Sequence, residues 1–595
     1  MRVKELVWVA VALSTPAFAN ASHKITNPDS VFPVPLCNGI YIEDATISTL
    51  QRFLTLGFLT SEALTACYLE RIGVTNDHLH SISETNPDAL SIARALDSAR
   101  ANGTTLSPLH GIPFLVKDNY FTNDKHNTSE GGLVLLGGRY RREATVVQRL
   151  RAAGAVLIGH ASLSEAADHR ATTNYSEGYS TRAGQIRNPF NLTQPTRGSS
   201  GGSAVAVGSN QVAFALGTET HGSLTHPAAD LGLYTLKSTP GLISRHGIIP
   251  GSFYHDTPGP LARSMSDVAA VLDIMAGPDP RDNLTWQGTI AMPQEGFSAQ
   301  LATKDALRGM RLGIPWNPYW STIGHINSPG VRSLYEKRIG ELRAAGAEIY
   351  NVSMPGIASI ANPYGSANPS DIDPAFKQQQ VYNALLAVAY AEWLEDWMFP
   401  ENDTRHGLST LKQMAEWNAA KNATTGALGS GYWWYNTESG QDFYDQAVAT
   451  NGSLGEAFWA AFGWGRSTAQ SAVEEGLVFL TDDGEVVRLD GLLVPNGDAG
   501  GQGDACASIP SYGGTPVATV PFGLTGYSVP CGLCIYGRKW GEADLVRVAS
   551  AMEDLWRWNE RPTWENWQTA HGRWDAPWPG FTCSKDSLDR HMCTA

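Results

Sequence analysis

Two distant stretches of this chain follow the same local pattern. "TVVQRLRAAGAVLIGHASLSE" and "VRSLYEKRIGELRAAGAEIYNV" each pass from helical spacing through a glycine turn into a β-rich segment. Each specifies an αβ unit. A further helical pattern lies in "DLVRVASAMEDL", and "HGIPFLVKDNY" reads as a strand running into a turn, with Lys117 at its apolar end. Strands alternating with helices imply an α/β fold: a large mixed or mostly parallel sheet covered by helices on both faces. Upstream, "ISTLQRFLTLGFLTSEALTACYLERI" has helical spacing that lets Leu50, Phe53, Leu54, Phe58 and Leu64 share one buried face.

The 595 residues, 42 % hydrophobic and 17 % charged, suit a globular protein too long for one small core. There are no internal repeats and no low-complexity linker, so one large domain is expected. Residues 355–480 differ in character. Proline and glycine rise there, and Trp393, Trp397, Trp417, Trp433, Trp434, Trp459 and Trp464 crowd together. This segment reads as an insertion whose rings either wall a cleft or fill a helical cap.

The first 21 residues have the form of a secretory signal peptide. Arg2 and Lys4 precede an apolar stretch, and Ala17-Phe18-Ala19 offers a small-residue cleavage site, with Ala19-Asn20-Ala21 as the alternative. Nine sequons (Asn102, Asn127, Asn174, Asn191, Asn283, Asn351, Asn402, Asn422 and Asn451) point the same way, to a secreted glycoprotein. No later segment has the length of apolar residues that a membrane span needs. A net charge of -15 argues against a nucleic-acid partner, whose phosphates it would repel. In an oxidising compartment some of the seven cysteines should pair, and Cys583 with Cys593 is the pairing expected across the polar tail. Cys531-Gly-Leu-Cys534 lies in an alternating strand pattern with no second pair at zinc spacing, so structural cysteines are expected there.

The segment "TRGSSGGSAVAVGSN" carries the chemistry. It lacks the lysine of a Walker-type phosphate loop. Gly198-Ser199-Ser200-Gly201-Gly202 matches the spacing of a hydrolase nucleophile elbow on Ser200, but a buried strand should precede such an elbow, and "RNPFNLTQPTR" is polar and proline-broken. A third reading uses the next glycine-flanked turn, "ALGTETHGSLTHPA", which carries Ser223. Two serines and a lysine, Ser199, Ser223 and Lys117, form a hydrolytic relay without histidine. Burial brings a lysine towards neutrality so that it can act as a base, and a bridging hydroxyl both donates and accepts.

Together "HGIPFLVKDN", "RNPFNLTQPTRGSSGGSAVAVGSN", "ALGTETHGSLTHPA" and "HDTPGPLARSMSDVA" resemble, in order, the amidase signature family, the Ser-cisSer-Lys amidohydrolases. The Glu219-Thr220-x-Gly222-Ser223 form is closest to the peptide-amidase-like, GatA-like branch. The resemblance spans about residues 45–560, weakening over 355–480, and leaves 561–595 as a C-terminal tail. It implies the αβα sandwich of that family, with Ser223 as acylating nucleophile, Ser199 as a bridging serine on a cis peptide bond and Lys117 as general base. The backbone N–H groups of Thr220, His221, Gly222 and Ser223 would form the oxyanion hole. The implied reaction converts a small-molecule or peptide amide to an acid plus ammonia or an amine, with no metal or organic cofactor. Two departures stand out. His221 replaces a glycine or aspartate, and Thr225-His226 stands where many members carry arginine. The rival functions are an α/β-hydrolase esterase using Ser200 and a non-catalytic binding protein on the same scaffold.

Overall fold

The computed structural model describes residues 30–171, 177–317, 319–320, 330–354, 378–422, 441–496, 505–570, 582–585 and 591–594. The signal-peptide segment, the Asn174 sequon, Trp433 and Trp434 lie outside the described residues. Eleven strands form the main sheet: β1 Ile82–Thr85, β2 Pro113–Lys117, β3 Val156–Ala161, β4 Phe214–Glu219, β5 Tyr234–Lys237, β6 Thr257–Ala262, β7 Arg311–Asn317, β8 Glu348–Ser353, β9 Gly491–Asn496, β10 Val517–Leu524 and β11 Pro530–Tyr536. Their order is β1-β3-β2-β4-β6-β5-β10-β11-β9-β7-β8. Two parallel blocks, β3-β2-β4 and β9-β7-β8, are joined through antiparallel strands, so the sheet is mixed as expected. Every residue of β2, β3 and β4 is buried, which requires cover on both faces.

Both αβ units form as their sequences dictate. Helix Thr145–Ala152 leads through Gly154, at φ +86°, into β3, and helix Val331–Ala344 leads through Gly346, at φ +98°, into β8. A glycine ends each helix because the chain must turn left-handed there. The single amphipathic helix read upstream is instead two. Ile47–Thr55 and Ser61–Leu79 are separated at Gly57, whose φ is +72°. Leu50, Leu54 and Leu64 are buried as expected, but Phe53 is only partly so and Phe58, in the break, is 56 % exposed.

The register of β2 against β4 pairs Phe114 with Phe214 and Val116 with Leu216, and the two phenylalanine rings stack at 5.5 Å. That register carries Lys117, at the end of β2, level with the last residues of β4. The small helix Gly201–Gly208 is wholly buried against these strands. A Cβ on Gly202 would lie 2.2 Å from the Ser162 carbonyl oxygen and 2.6 Å from that of Ser81, so only glycine permits the approach.

Within the insertion the described helices are Gln378–Leu394, Leu411–Asn422, Asp442–Ala449 and Glu456–Gly476. Trp393 and Trp397 are buried, Trp417 and Trp464 half-buried, and Trp459 is 45 % exposed. The insertion is tethered to the core. Trp397-Met398 pairs antiparallel with Arg139-Tyr140, and the Tyr140 and Trp393 rings stack at 5.4 Å. A Cβ on Gly138 would overlap the Trp397 indole at 2.2 Å, and the Arg405 guanidinium donates to the Leu133, Val134 and Leu136 carbonyls.

Disulfides join Cys37 to Cys67 and Cys506 to Cys534, and Cys531 is a buried free thiol. The Cys531/Cys534 pair is therefore structural. Cys583 and Cys593 are register partners in a two-stranded antiparallel ribbon. Among the sequons, Asn102, Asn283, Asn351, Asn402 and Asn451 are exposed. Asn191 is buried, with its amide hydrogen-bonded to Glu565, Thr193 and Asn566, which excludes a glycan there in the folded chain. The Asn127 amide is held by Glu84.

Candidate active site

Lys117 ends β2 with its side chain wholly buried. Its Nζ donates to Ser199 Oγ at 2.7 Å, Thr218 Oγ1 at 2.9 Å and the Thr218 carbonyl at 3.4 Å. Burial pushes the ammonium down to about 8, opposed by the carboxylates of Asp168, Glu130, Asp256 and Glu219. In the neutral state an amine has two N–H groups and one lone pair. The two Thr218 acceptors take the N–H groups, which leaves the lone pair facing the Ser199 hydroxyl.

Ser199 follows a non-proline cis peptide bond from Gly198. The Gly198 N–H donates to Glu177 Oε1 at 2.7 Å, and the Ser199 carbonyl accepts from Ser164 N–H at 3.2 Å. A Cβ on Gly198 would meet Ser164 Oγ at 2.2 Å and Asp168 Oδ2 at 2.8 Å. Burial and the nearby Glu177 carboxylate hold Asp168 well above the usual carboxylate range. Ser200, beside it, is a supporting residue. Its Oγ donates to the Thr218 carbonyl at 3.1 Å and accepts from Thr218 N–H at 3.2 Å. Its N–H donates to the Ser223 carbonyl at 3.2 Å, which joins the Ser199 loop directly to the Ser223 loop.

That second loop leaves β4 at Glu219 and enters helix Thr225–Asp230. The buried Glu219 Oε2 accepts the N–H groups of Leu224 and Thr225, both at 2.9 Å, and so fixes the turn from below. Thr220 Oγ1 donates to Asp256 Oδ1 at 2.6 Å. Gly222 sits at φ +83°, and a Cβ there would lie 2.5 Å from His226 Cε1. Ser223 is 6 % exposed, and its Oγ has no hydrogen-bond partner among the described residues. The N–H groups of Thr220, His221, Gly222 and Ser223 likewise donate to no acceptor among the described residues. The structure thus brings together Lys117, Ser199, Ser223 and the four-residue loop.

The two departures have structural partners. Arg197 reaches His226 Nδ1 at 3.1 Å, so a guanidinium does meet the Ser223 loop, but it comes from the Ser199 side. Thr225 Oγ1 bonds to Glu219. His221 Nε2 lies 3.3 Å from Ser508 Oγ, and its ring neighbours Tyr382 and Tyr512, which with His255 form an aromatic group beside the loop. A cavity of about 270 Å³ adjoins the site, bordered by Asn119, Thr218, Thr220, Ile249, Phe253 and Trp393 among others. The insertion therefore supplies one ring of the cavity wall (Trp393) while Trp397 packs in the core. Sequence reasoning missed Thr218, Asp168, Glu177 and Asp118, the last of which anchors the turn after Lys117 by accepting from Ser129, Gly131 and Arg182. Thr218 lies next to the quoted Glu219, but a lone hydroxyl in a strand has no spacing signature.

The amidase family model matches residues 63–428. A Schizosaccharomyces pombe protein named as an amidase is 38 % identical over 90 % of this chain and 89 % of its own length. An Arabidopsis thaliana protein, also named as an amidase, is 33 % identical over 89 % of this chain and 93 % of its own. The crystal structure of peptide amidase from Stenotrophomonas maltophilia superposes with a TM-score of 0.72 at 33 % identity, covering 88 % of this chain and 99 % of that one. Fold and likeness together define an amidohydrolase, an enzyme of amide C–N bonds. The chain belongs to the amidase signature family.

Proposed function

We propose that this amidase hydrolyses a carboxylic or peptidyl amide through an acyl-enzyme on Ser223. The observation that carries the reading is the 2.7 Å contact of buried Lys117 with Ser199, one residue from the direct link between Ser200 and Ser223. Neutral Lys117 takes the Ser199 proton, Ser199 takes that of Ser223, and the Ser223 oxygen attacks the amide carbonyl. The unused N–H groups of residues 220–223 receive the oxyanion, a contribution of about 3 to 4 kcal/mol per donor. Collapse expels ammonia or an amine, protonated back along the same hydroxyls, and water releases the acid. The rings of His221, Tyr382, Tyr512 and His255 support a hydrophobic or aromatic acyl group, and the peptide amidase likeness supports a peptide amide. The leader sequence, the exposed sequons and the two disulfides support secretion.

The test is labelling with a fluorophosphonate, with ammonia release measured on fatty, aryl and peptidyl amides. Wild type labels on Ser223, and Ser223→Ala loses labelling and at least about a thousandfold of turnover. Near-normal ammonia release by Ser223→Ala overturns the assignment.

A further inference from the structure

Six strands along the sheet from β4, roughly 30 Å at about 4.8 Å per strand, lies a second cavity of about 520 Å³. Four arginines border it: Arg308, three residues before β7, Arg311 at the start of β7, Arg488 at the end of strand Val486–Arg488, and Arg547 in helix Glu542–Trp556. None of the four guanidinium groups has a carboxylate within 4.0 Å among the described residues. The two aspartates in the lining bond to groups other than these guanidinium groups. Asp490 Oδ2 accepts the Arg311 backbone N–H at 2.7 Å, and Asp544 pairs with Arg538 at 3.2 Å. The cluster is a local concentration of positive charge in a chain of net charge -15.

We propose that this cleft binds a tetrahedral oxyanion, phosphate or sulfate, free or carried as an ester on a larger molecule. Guanidinium forks match two oxygens of such a group, and like charges held together by a sheet, a hairpin and a helix are relieved by a shared counter-anion. The volume exceeds what one anion fills, which leaves room for the rest of an ester.

Calorimetric titration of the full-length protein tests this, using inorganic phosphate, sulfate and a sulfated oligosaccharide against chloride at equal ionic strength. Saturable phosphate or sulfate binding is expected, weakened at least about tenfold in Arg488→Gln/Arg547→Gln. Tighter binding of the oligosaccharide, lost in the same variant, assigns the ester form. Tighter binding of the free anions assigns the free form. Heats no larger than those of chloride, or binding unchanged in the double variant, overturn the proposal. All four arginines are exposed, so the variants fold, which circular dichroism verifies.

Discussion

Thr218 governs what Lys117 can do. Its hydroxyl and carbonyl occupy the amine's N–H groups, and Asn119 Nδ2 holds the same hydroxyl at 3.0 Å. Thr218→Val removes one acceptor without changing volume and is expected to lower kcat/KM about tenfold, with Thr218→Ser restoring most of it. In the proposed mechanism the neutral amine is the acceptor, and burial lowers its pKa to about 8, so activity is expected to rise as pH passes through about 8 and level off above. Asp168 favours the ammonium, so Asp168→Asn moves that limb of the kcat/KM profile to lower pH. An unmoved limb would remove Asp168 from the proton balance. Lys117, Ser199 and Ser223 were legible because glycine-rich turns and an apolar strand frame them. Thr218, Asp168 and Glu177 act through positions that only the folded register brings near the lysine.

At the scale of elements, the glycines separate packing from flexibility. Gly202 lies in a helix pressed onto the Ser162 and Ser81 carbonyls, whereas nothing lies within 4 Å of a Cβ built on Gly340 in helix Val331–Ala344. Gly202→Ala is expected to destabilise by about 2 to 4 kcal/mol. Gly340→Ala should stabilise by about 0.5 to 1 kcal/mol. Denaturant melts of the two variants should move in opposite directions. Helix-glycine-strand units were readable because propensity, turn and burial agree along them. The break at Gly57 was not, since the apolar spacing continues across it and only Phe58, turned to solvent, betrays it. The sequence pattern also offered Asn191 as a glycan acceptor, although its amide is tied to residues more than 370 positions away.

For the whole molecule, the cross-links matter more than the surface ion pairs. The exposed salt bridges, such as Arg94–Glu62, Lys125–Asp88, Arg332–Glu336 and Arg538–Asp544, contribute little each. Cys506–Cys534 closes a loop of 28 residues behind the aromatic group that carries Tyr512. Removing it by Cys506→Ser is expected to cost about 3 to 4 kcal/mol, read as a lower melting midpoint that reductant does not lower further at this bridge. The mixed sheet and the αβ units that enter both of its parallel blocks follow from local signals, but the order of its strands and the Arg-lined cleft do not. They depend on contacts between segments far apart in the chain.

The insertion is bound to the core through Gly138, Arg139 and Tyr140, which lie far from it in sequence. Any chimera that exchanges residues 355–480 between relatives to redirect substrate choice must therefore bring its own partner for Trp397 and Trp393 at 138–140. A graft lacking a glycine at 138 would collide with the incoming indole, and the cavity wall it was meant to remodel would fail to form.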